Sequence, residues 1–239
     1  MRWDWLDRNS DQIISWFLSH VWLAAVPTVL GLLLALPLGA VAHKYRWSYS
    51  VLITVAGLLY TVPSLALFVM LPGLLGTRIL DPINVVVALT LYTLALLVRV
   101  VADGLDSVDP LVVQSAKAMG YKTLPMLIRV QLPLAIPVIG AGLRVAAVSN
   151  VSLVSVAALL GVPQLGQLFT VGFQLDFFTP IITGLVLCLV IAAIFDMLIL
   201  LAIRLSTPWI RATRSSKPVS EPTAADADQK SADAKAVTA

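Results

Sequence analysis

The chain alternates long apolar stretches with short polar or Pro- and Gly-containing segments. A helix needs roughly 20 mostly apolar residues to cross about 30 Å of hydrocarbon. Five stretches reach that length, at residues 18–42, 49–75, 80–101, 134–160 and 181–205, and Pro72, Gly73 and Gly76 mark the break before the third. A more polar stretch, 102–133, precedes the fourth, and a loop at 161–180 precedes the fifth. Ahead of the first span, residues 2–17 predict a short interfacial helix or helical turn, because Ser10 can cap a segment whose Ile13, Ile14 and Phe17 recur at helical spacing. From Thr207 onward Ser, Pro, Ala, Asp, Lys and Thr take over, with too few large apolar side chains to offset the entropy of ordering. The pattern therefore divides into an interfacial segment at 1–17, a membrane domain at 18–206 and a disordered tail at 207–239.

Composition agrees with this pattern. Of 239 residues, 59% are hydrophobic and 12% charged, whereas a soluble domain carries about 25% charged residues. The expected fold class is an all-α membrane protein of about five transmembrane helices. The six tryptophans, at 3, 5, 16, 22, 47 and 209, fall outside a span or near its end, where an amphipathic indole prefers to sit. The apolar run after residue 17 is too long for a signal peptide, so the first span is expected to stay in the mature protein. Cys188 stands alone inside an apolar run and reads as a small buried hydrophobe. The net charge of +3 includes no dense run of Lys and Arg, which gives nucleic-acid binding no support.

The positions of the cations set an expected orientation in the plasma membrane, since Lys and Arg flanking the spans accumulate on the cytoplasmic side. Of the 16 Lys and Arg, twelve fall on one side: Lys44, Arg46, Arg99, Lys117, Lys122, Arg129, Arg204 and five in the tail. Arg2, Arg8 and Arg78 fall on the other, and Arg144 lies within a span. The N-terminus is thus expected outside, with the 102–133 segment and the C-terminus in the cytoplasm.

That cytoplasmic segment has its own signals. Asp109 is an N-cap candidate, Pro110 suits the first helical position and Gly120 suits the residue just past a helix end, which predicts a helix over 110–119. Leu111, Val112, Ser115, Ala118 and Met119 share one of its faces, with Gln114 and Lys117 off it. Thr123 is expected to cap a second short helix, which Pro133 is expected to end. Two helices too short to span and too apolar to float free suggest a docking element. A loop packed on its own bundle is the alternative reading of these features.

The segment resembles the cytoplasmic signature of permease subunits of bacterial ATP-binding-cassette importers: Glu-Ala-Ala, three residues, Gly, nine residues, Ile, one residue, Leu-Pro. Gln114, Ser115, Ala116, Gly120, Val130, Leu132 and Pro133 fill that spacing. Gln114 replaces the acid, Ser115 the first alanine and Val130 the isoleucine, so a salt bridge from the family's glutamate to its ATPase has no counterpart at position 114. ALPLGAV at 35–41, TVPSLAL at 61–67, LPLAIPVIGAGLRVAAV at 132–148 and GVPQLG at 161–166 are similar to the osmoprotectant branch, which imports glycine betaine, choline, carnitine or proline-type solutes. The resemblance covers roughly residues 18–206 and implies a type I importer permease architecture. It also implies the partners: two ATP-binding subunits, a second permease subunit (a copy or a paralogue) and an extracytoplasmic solute-binding protein. ATP and Mg would then be bound by the ATPase, consistent with the absence from this sequence of a phosphate loop ending in Gly-Lys-Ser/Thr.

Within the spans, Arg144 and Asp196 are expensive unless paired or able to reach water, and their pairing is an open possibility. Pro63 interrupts the second span and frees a carbonyl near Leu59, with Thr61 and Ser64 close enough to compensate. Irregular backbone of this kind is tolerated beside a wet cavity, which makes Tyr60, Thr61, Pro63 and Ser64 candidates for a translocation path; a structural kink is the alternative. Asn150, Ser152 and Ser155 are further candidates, with interhelical hydrogen bonding as the alternative. His20 and His43 flank the first span at opposite ends, where they are expected at the interfaces and cannot share a metal.

Other functions compete. An amino-acid or other small-solute permease is the nearest alternative, and a self-sufficient secondary carrier is a more distant one. The carrier predicts internal repeats or several intramembrane acids, and neither is evident. An intramembrane enzyme needs a serine–histidine set, paired aspartates or a metal-binding helix within the spans, and none is visible.

Overall fold

The structure, a computed structural model, describes residues 3–209. A first compact unit ends at Ser206; of the second, which begins at Thr207, only residues 207–209 are described. The remainder of the expected tail lies outside the described residues.

Every regular element among the described residues is helical. They are α1 (Trp3–Arg8), α2 (Ser10–Lys44), α3 (Arg46–Thr61), α4 (Ser64–Leu75), α5 (Pro82–Asp106), α6 (Pro110–Ala118) and α7 (Thr123–Met126). A π-helical turn (Leu127–Gln131) leads into α8 (Leu132–Val156), followed by a 3₁₀ turn (Ala157–Leu160), α9 (Gln167–Gln174) and α10 (Phe178–Ser206). Four helical runs are long and apolar enough to cross a membrane: α2, α5, the continuous run Thr123–Leu160, and α10. Helices α3 and α4 make a fifth crossing if counted as one broken span, bent by 102°.

The N-terminal expectation needs correction. A separate short helix is present as expected, but it covers only Trp3–Arg8, and the helix of the first span already begins at Ser10. Ser10 caps nothing there, because Asn9 holds the cap position and the Ser10 hydroxyl instead donates to the Asp7 carbonyl at 3.0 Å.

The knee between α3 and α4 follows from Pro63, which has no N–H and pushes Val62 into extended backbone. Three carbonyls near the break still find donors. Leu58 O accepts from the Thr61 hydroxyl at 2.7 Å, Leu59 O from the Val62 N–H at 3.3 Å, and Val62 O from the Tyr92 hydroxyl. Thr61 compensates as expected, whereas the other side-chain donor is Tyr92 from α5 and not Ser64.

Helix α5 is the centre of the bundle, with α2, α3, α4 and α8 packed around it. One apolar cluster (Leu23, Phe68, Leu89, Val154, Leu168, Ile191) fills the half near α1, and another (Ala35, Leu97, Val101, Leu105, Ala135, Ile139) fills the half near α6. Lipid gives helices no hydrophobic incentive to associate, so close packing has to hold them together. Gly31 and Gly39 of α2 supply it: a methyl group on either would overlap Thr93 or Val101 of α5.

Candidate functional site

The segment between α5 and α8 forms a rigid elbow from local signals. The Asp109 carboxylate accepts from the Leu111 N–H at 2.8 Å and Pro110 starts α6, as expected from the sequence. Gly120 sits at φ +85°, a left-handed conformation that side-chain-bearing residues rarely adopt, and lets the Tyr121 N–H reach back to Ala116 O at 3.1 Å. Beyond the bend, two expectations fail. Lys122 holds the cap position of α7, while Thr123 is its first residue. Pro133 does not end the helix, because the run continues from Thr123 to Leu160. A π-helical turn precedes it: the Leu132 N–H bonds Leu127 O five residues back, and this widened turn is where the continuous run takes in Pro133, the second residue of α8.

The elbow has an inner and an outer surface. Ala116 and Met126 are buried against the bundle and Val113 is half-buried. The face expected to dock, comprising Leu111, Val112, Ser115, Ala118 and Met119, points away from the chain, and Leu111 is 69% and Met119 71% exposed. Leu124 and Ile128 extend this apolar surface past the bend. The Ser115 hydroxyl is satisfied within its own helix, donating to Leu111 O at 2.8 Å. Val130, Leu132 and Pro133 are half-buried where the elbow joins α8.

Gln114 and Lys117 line a cleft of about 440 Å³ between the elbow and the ends of α2 and α5. On its walls His43 Nδ1 lies 2.5 Å from Asp106 Oδ1, and His43 Nε2 lies 3.4 Å from the Gln131 amide nitrogen. His43 thus links α2, α5 and the π-helical turn, a role beyond the interfacial placement expected from its position.

The polar residues inside the spans separate into three groups. Arg144 and Asp196 pair directly between α8 and α10, Nε to Oδ1 at 2.6 Å and Nη2 to Oδ2 at 2.7 Å. Asn150 is buried, and its amide donates to the Thr28 and Thr93 hydroxyls, both at 2.8 Å, tying α8 to α2 and α5. Tyr60 packs edge-on against Tyr92 with ring centroids 5.9 Å apart, and Tyr60, Tyr92, Ser149 and Asn150 line one small recess. Thr61, Pro63 and Ser64 form the adjoining knee. The recess does not include Ser152, which is exposed, or Ser155, whose hydroxyl lies 3.8 Å from Cys188 Sγ.

One buried junction has no counterpart in the sequence reading. His20 is fully buried, with Nδ1 3.1 Å from Gln164 Oε1 and Nε2 3.0 Å from Val151 O, protein contacts that its position at the end of a span did not predict. Gln164 Oε1 also accepts from the Gly166 N–H. The GVPQLG loop is thereby tied to α2 and α8. The only trace in the sequence was that motif, whose partner lies 144 positions away.

Comparison with known proteins accounts for this arrangement. The chain is 31% identical over 194 residues to the osmoprotectant import permease protein OsmW of Salmonella typhimurium, covering 80% of this chain and 90% of the relative. It is 28% identical over 203 residues to the choline transport system permease protein OpuBB of Bacillus subtilis, covering 85% and 92%. It is 30% identical over 198 residues to the carnitine transport permease protein OpuCD of Listeria monocytogenes, covering 82% and 87%. Its fold matches an inward-facing structure of the MetNI methionine ABC transporter at a TM-score of 0.73 and 19% identity, covering 84% of this chain and 98% of that one. An amino acid ABC transporter crystallised with histidines matches at a TM-score of 0.68 and 19% identity, covering 85% and 98%. The five-span bundle with its elbow is therefore the type I ABC importer permease fold. The family model described as binding-protein-dependent transport system inner membrane component matches residues 13–212, and the chain belongs to that family of membrane-spanning transport subunits.

Proposed function

We propose that this chain is the membrane-spanning subunit of an ATP-driven importer of compatible solutes of the glycine betaine, choline, carnitine or proline type. Several relatives that match over most of their length carry osmoprotectant, choline or carnitine permease names, which favours this branch over a general amino-acid permease. In this reading the chain has no ATPase site of its own; ATP and Mg are handled by separate ATP-binding subunits. A second permease subunit completes the membrane unit and an extracytoplasmic binding protein delivers the solute. The N-terminus lies outside, and the elbow and C-terminus lie in the cytoplasm.

One observation carries the coupling role: the elbow exposes an apolar face while its second arm runs without a break into α8. Force applied by an ATPase at Leu111 and Met119 crosses the Gly120 bend to the continuous helix Thr123–Leu160, which carries Arg144 and Asn150. The elbow motif residues Gln114, Ser115, Ala116, Gly120, Val130, Leu132 and Pro133 shape this lever. Tyr60, the Thr61–Pro63–Ser64 knee and Asn150 are the residues we assign to the translocation path. Ser152 and Ser155, away from the recess, are weaker members of that set.

Two experiments test the proposal. ATP-binding subunits should co-purify with the intact chain and be lost when residues 110–131 are replaced by a flexible linker; equal retention rejects the docking role. Cells carrying the importer should take up labelled betaine at high osmolarity, and deleting this chain should abolish that uptake. Unchanged betaine uptake with amino-acid transport lost would reassign the solute.

A further inference from the structure

The elbow is basic on balance: Asp109, exposed, caps the start of α6 through the Leu111 N–H, and the charged residues after it are all cations. Residues 110–131 contain Lys117, Lys122 and Arg129 and no acid. All three cations are exposed, and none forms an ion pair among the described residues. Lys117 faces the cleft beside the open apolar side chains Leu111, Met119, Leu124 and Ile128, while Lys122 and Arg129 follow the Gly120 bend. Accumulation of cations on the cytoplasmic side explains their number, and Asp109, engaged by the Leu111 N–H at the start of α6, is the acid nearest to them in the chain.

Position 114 has the same polarity. Gln114 faces the 440 Å³ cleft together with Lys44 and Lys117. The one acid on that cleft is Asp106, whose Oδ1 is taken up by His43. A glutamine amide beside two lysines can donate to an incoming carboxylate, whereas a glutamate there would repel it.

Resting on the docking role proposed above, we infer that the elbow fits an ATPase groove that is apolar at its floor and acidic at its rim, with a partner carboxylate entering the cleft mouth between Lys44 and Lys117. Apolar burial holds the two subunits together, and the cations select the partner and its register. Gln114 is then a specificity-determining residue, because its amide can donate to that carboxylate where a glutamate would repel it.

The test uses the full importer, with ATP-binding subunits co-produced and the permease in detergent or nanodiscs. ATPase affinity should fall as salt is raised across the range where the Debye length shrinks from about 10 Å to about 3 Å. Lys117→Glu and Gln114→Glu should each weaken it by about tenfold, with Lys117→Gln intermediate and the permease's elution profile unchanged. If both acidic variants bind like the parent while Leu111→Asp releases the ATPase, the apolar docking role stands and the charge inference is wrong. If Leu111→Asp also retains the ATPase, the docking role itself fails. If Lys117→Glu lowers binding to vesicles containing phosphatidylglycerol but leaves the ATPase bound, the cations serve lipid and the inference is overturned.

Discussion

Arg144 and Asp196, 52 positions apart in the chain, meet through two parallel hydrogen bonds between α8 and α10. A guanidinium and a carboxylate paired in this way satisfy each other's charge on two helices whose other side chains are mostly apolar, each partner being about one-third exposed. Removing one partner leaves the other unpaired among those side chains, whereas removing both leaves an apolar contact. We expect Arg144→Met and Asp196→Leu each to lower the melting temperature and the yield of folded protein, and the double variant to recover most of both. Thermal unfolding in detergent measures this; a double variant no better than the worse single one would show that the pair does more than neutralise charge.

Asn150 is expected to matter more for the interior than its size suggests. Asn150→Ala removes two interhelical hydrogen bonds and leaves the Thr93 hydroxyl without its donor. Measured values for such bonds within membranes average near 0.6 kcal/mol and reach about 1.7, so a loss of about 1–2 kcal/mol is expected. Equilibrium unfolding in mixed micelles would detect it.

Gly31 is expected to tolerate no larger residue. A side chain there drives into Thr93, which forces α2 from α5 and disturbs the Thr93–Asn150 bond at the same time. Gly31→Val should cost about 1–3 kcal/mol from overpacking. Thr93→Gly, which removes both clashing atoms, should offset more of that cost than Thr93→Ala, which keeps the Cβ in the way, and a double-mutant cycle measures the difference.

Gln164 holds the loop after α8 in place. Gln164→Ala strips its bonds to His20 and to the Gly166 N–H, both within a buried setting. A cost of about 1–3 kcal/mol is expected for the unsatisfied groups, together with faster proteolysis of the segment between α8 and α10, which contains α9. Cleavage at the parental rate would indicate that the apolar contacts of Leu165 and Leu168 suffice.

His43 bridges Asp106 and Gln131 at the base of the elbow. His43→Leu is expected to leave ATPase subunits bound but to loosen the lever, so that ATP turnover continues while solute uptake falls severalfold. Paired hydrolysis and uptake assays in proteoliposomes separate this outcome from a general loss of folding, in which both would fall together.

Much of this protein is decided by information that lies close together in the chain. The spans could be read because crossing a bilayer requires a long local run of apolar residues, and α6 could be read because Asp109, Pro110 and Gly120 act within a turn of where they stand. The same local rules misplaced the start of α2 at residue 18 and made Pro133 a stop. Hydropathy does not register a helix that extends past the apolar run to Ser10, and the π-helical turn that accommodates Pro133 depends on how the whole elbow seats against α2 and α5. Three further features were settled only by the packed bundle: the pairing of Arg144 with Asp196, the burial of His20 against Gln164, and Tyr92 rather than Ser64 as a donor at the Pro63 knee. Each joins residues at least 30 positions apart. Their distance is set by how helices pack side by side, a geometry that one-dimensional spacing does not contain.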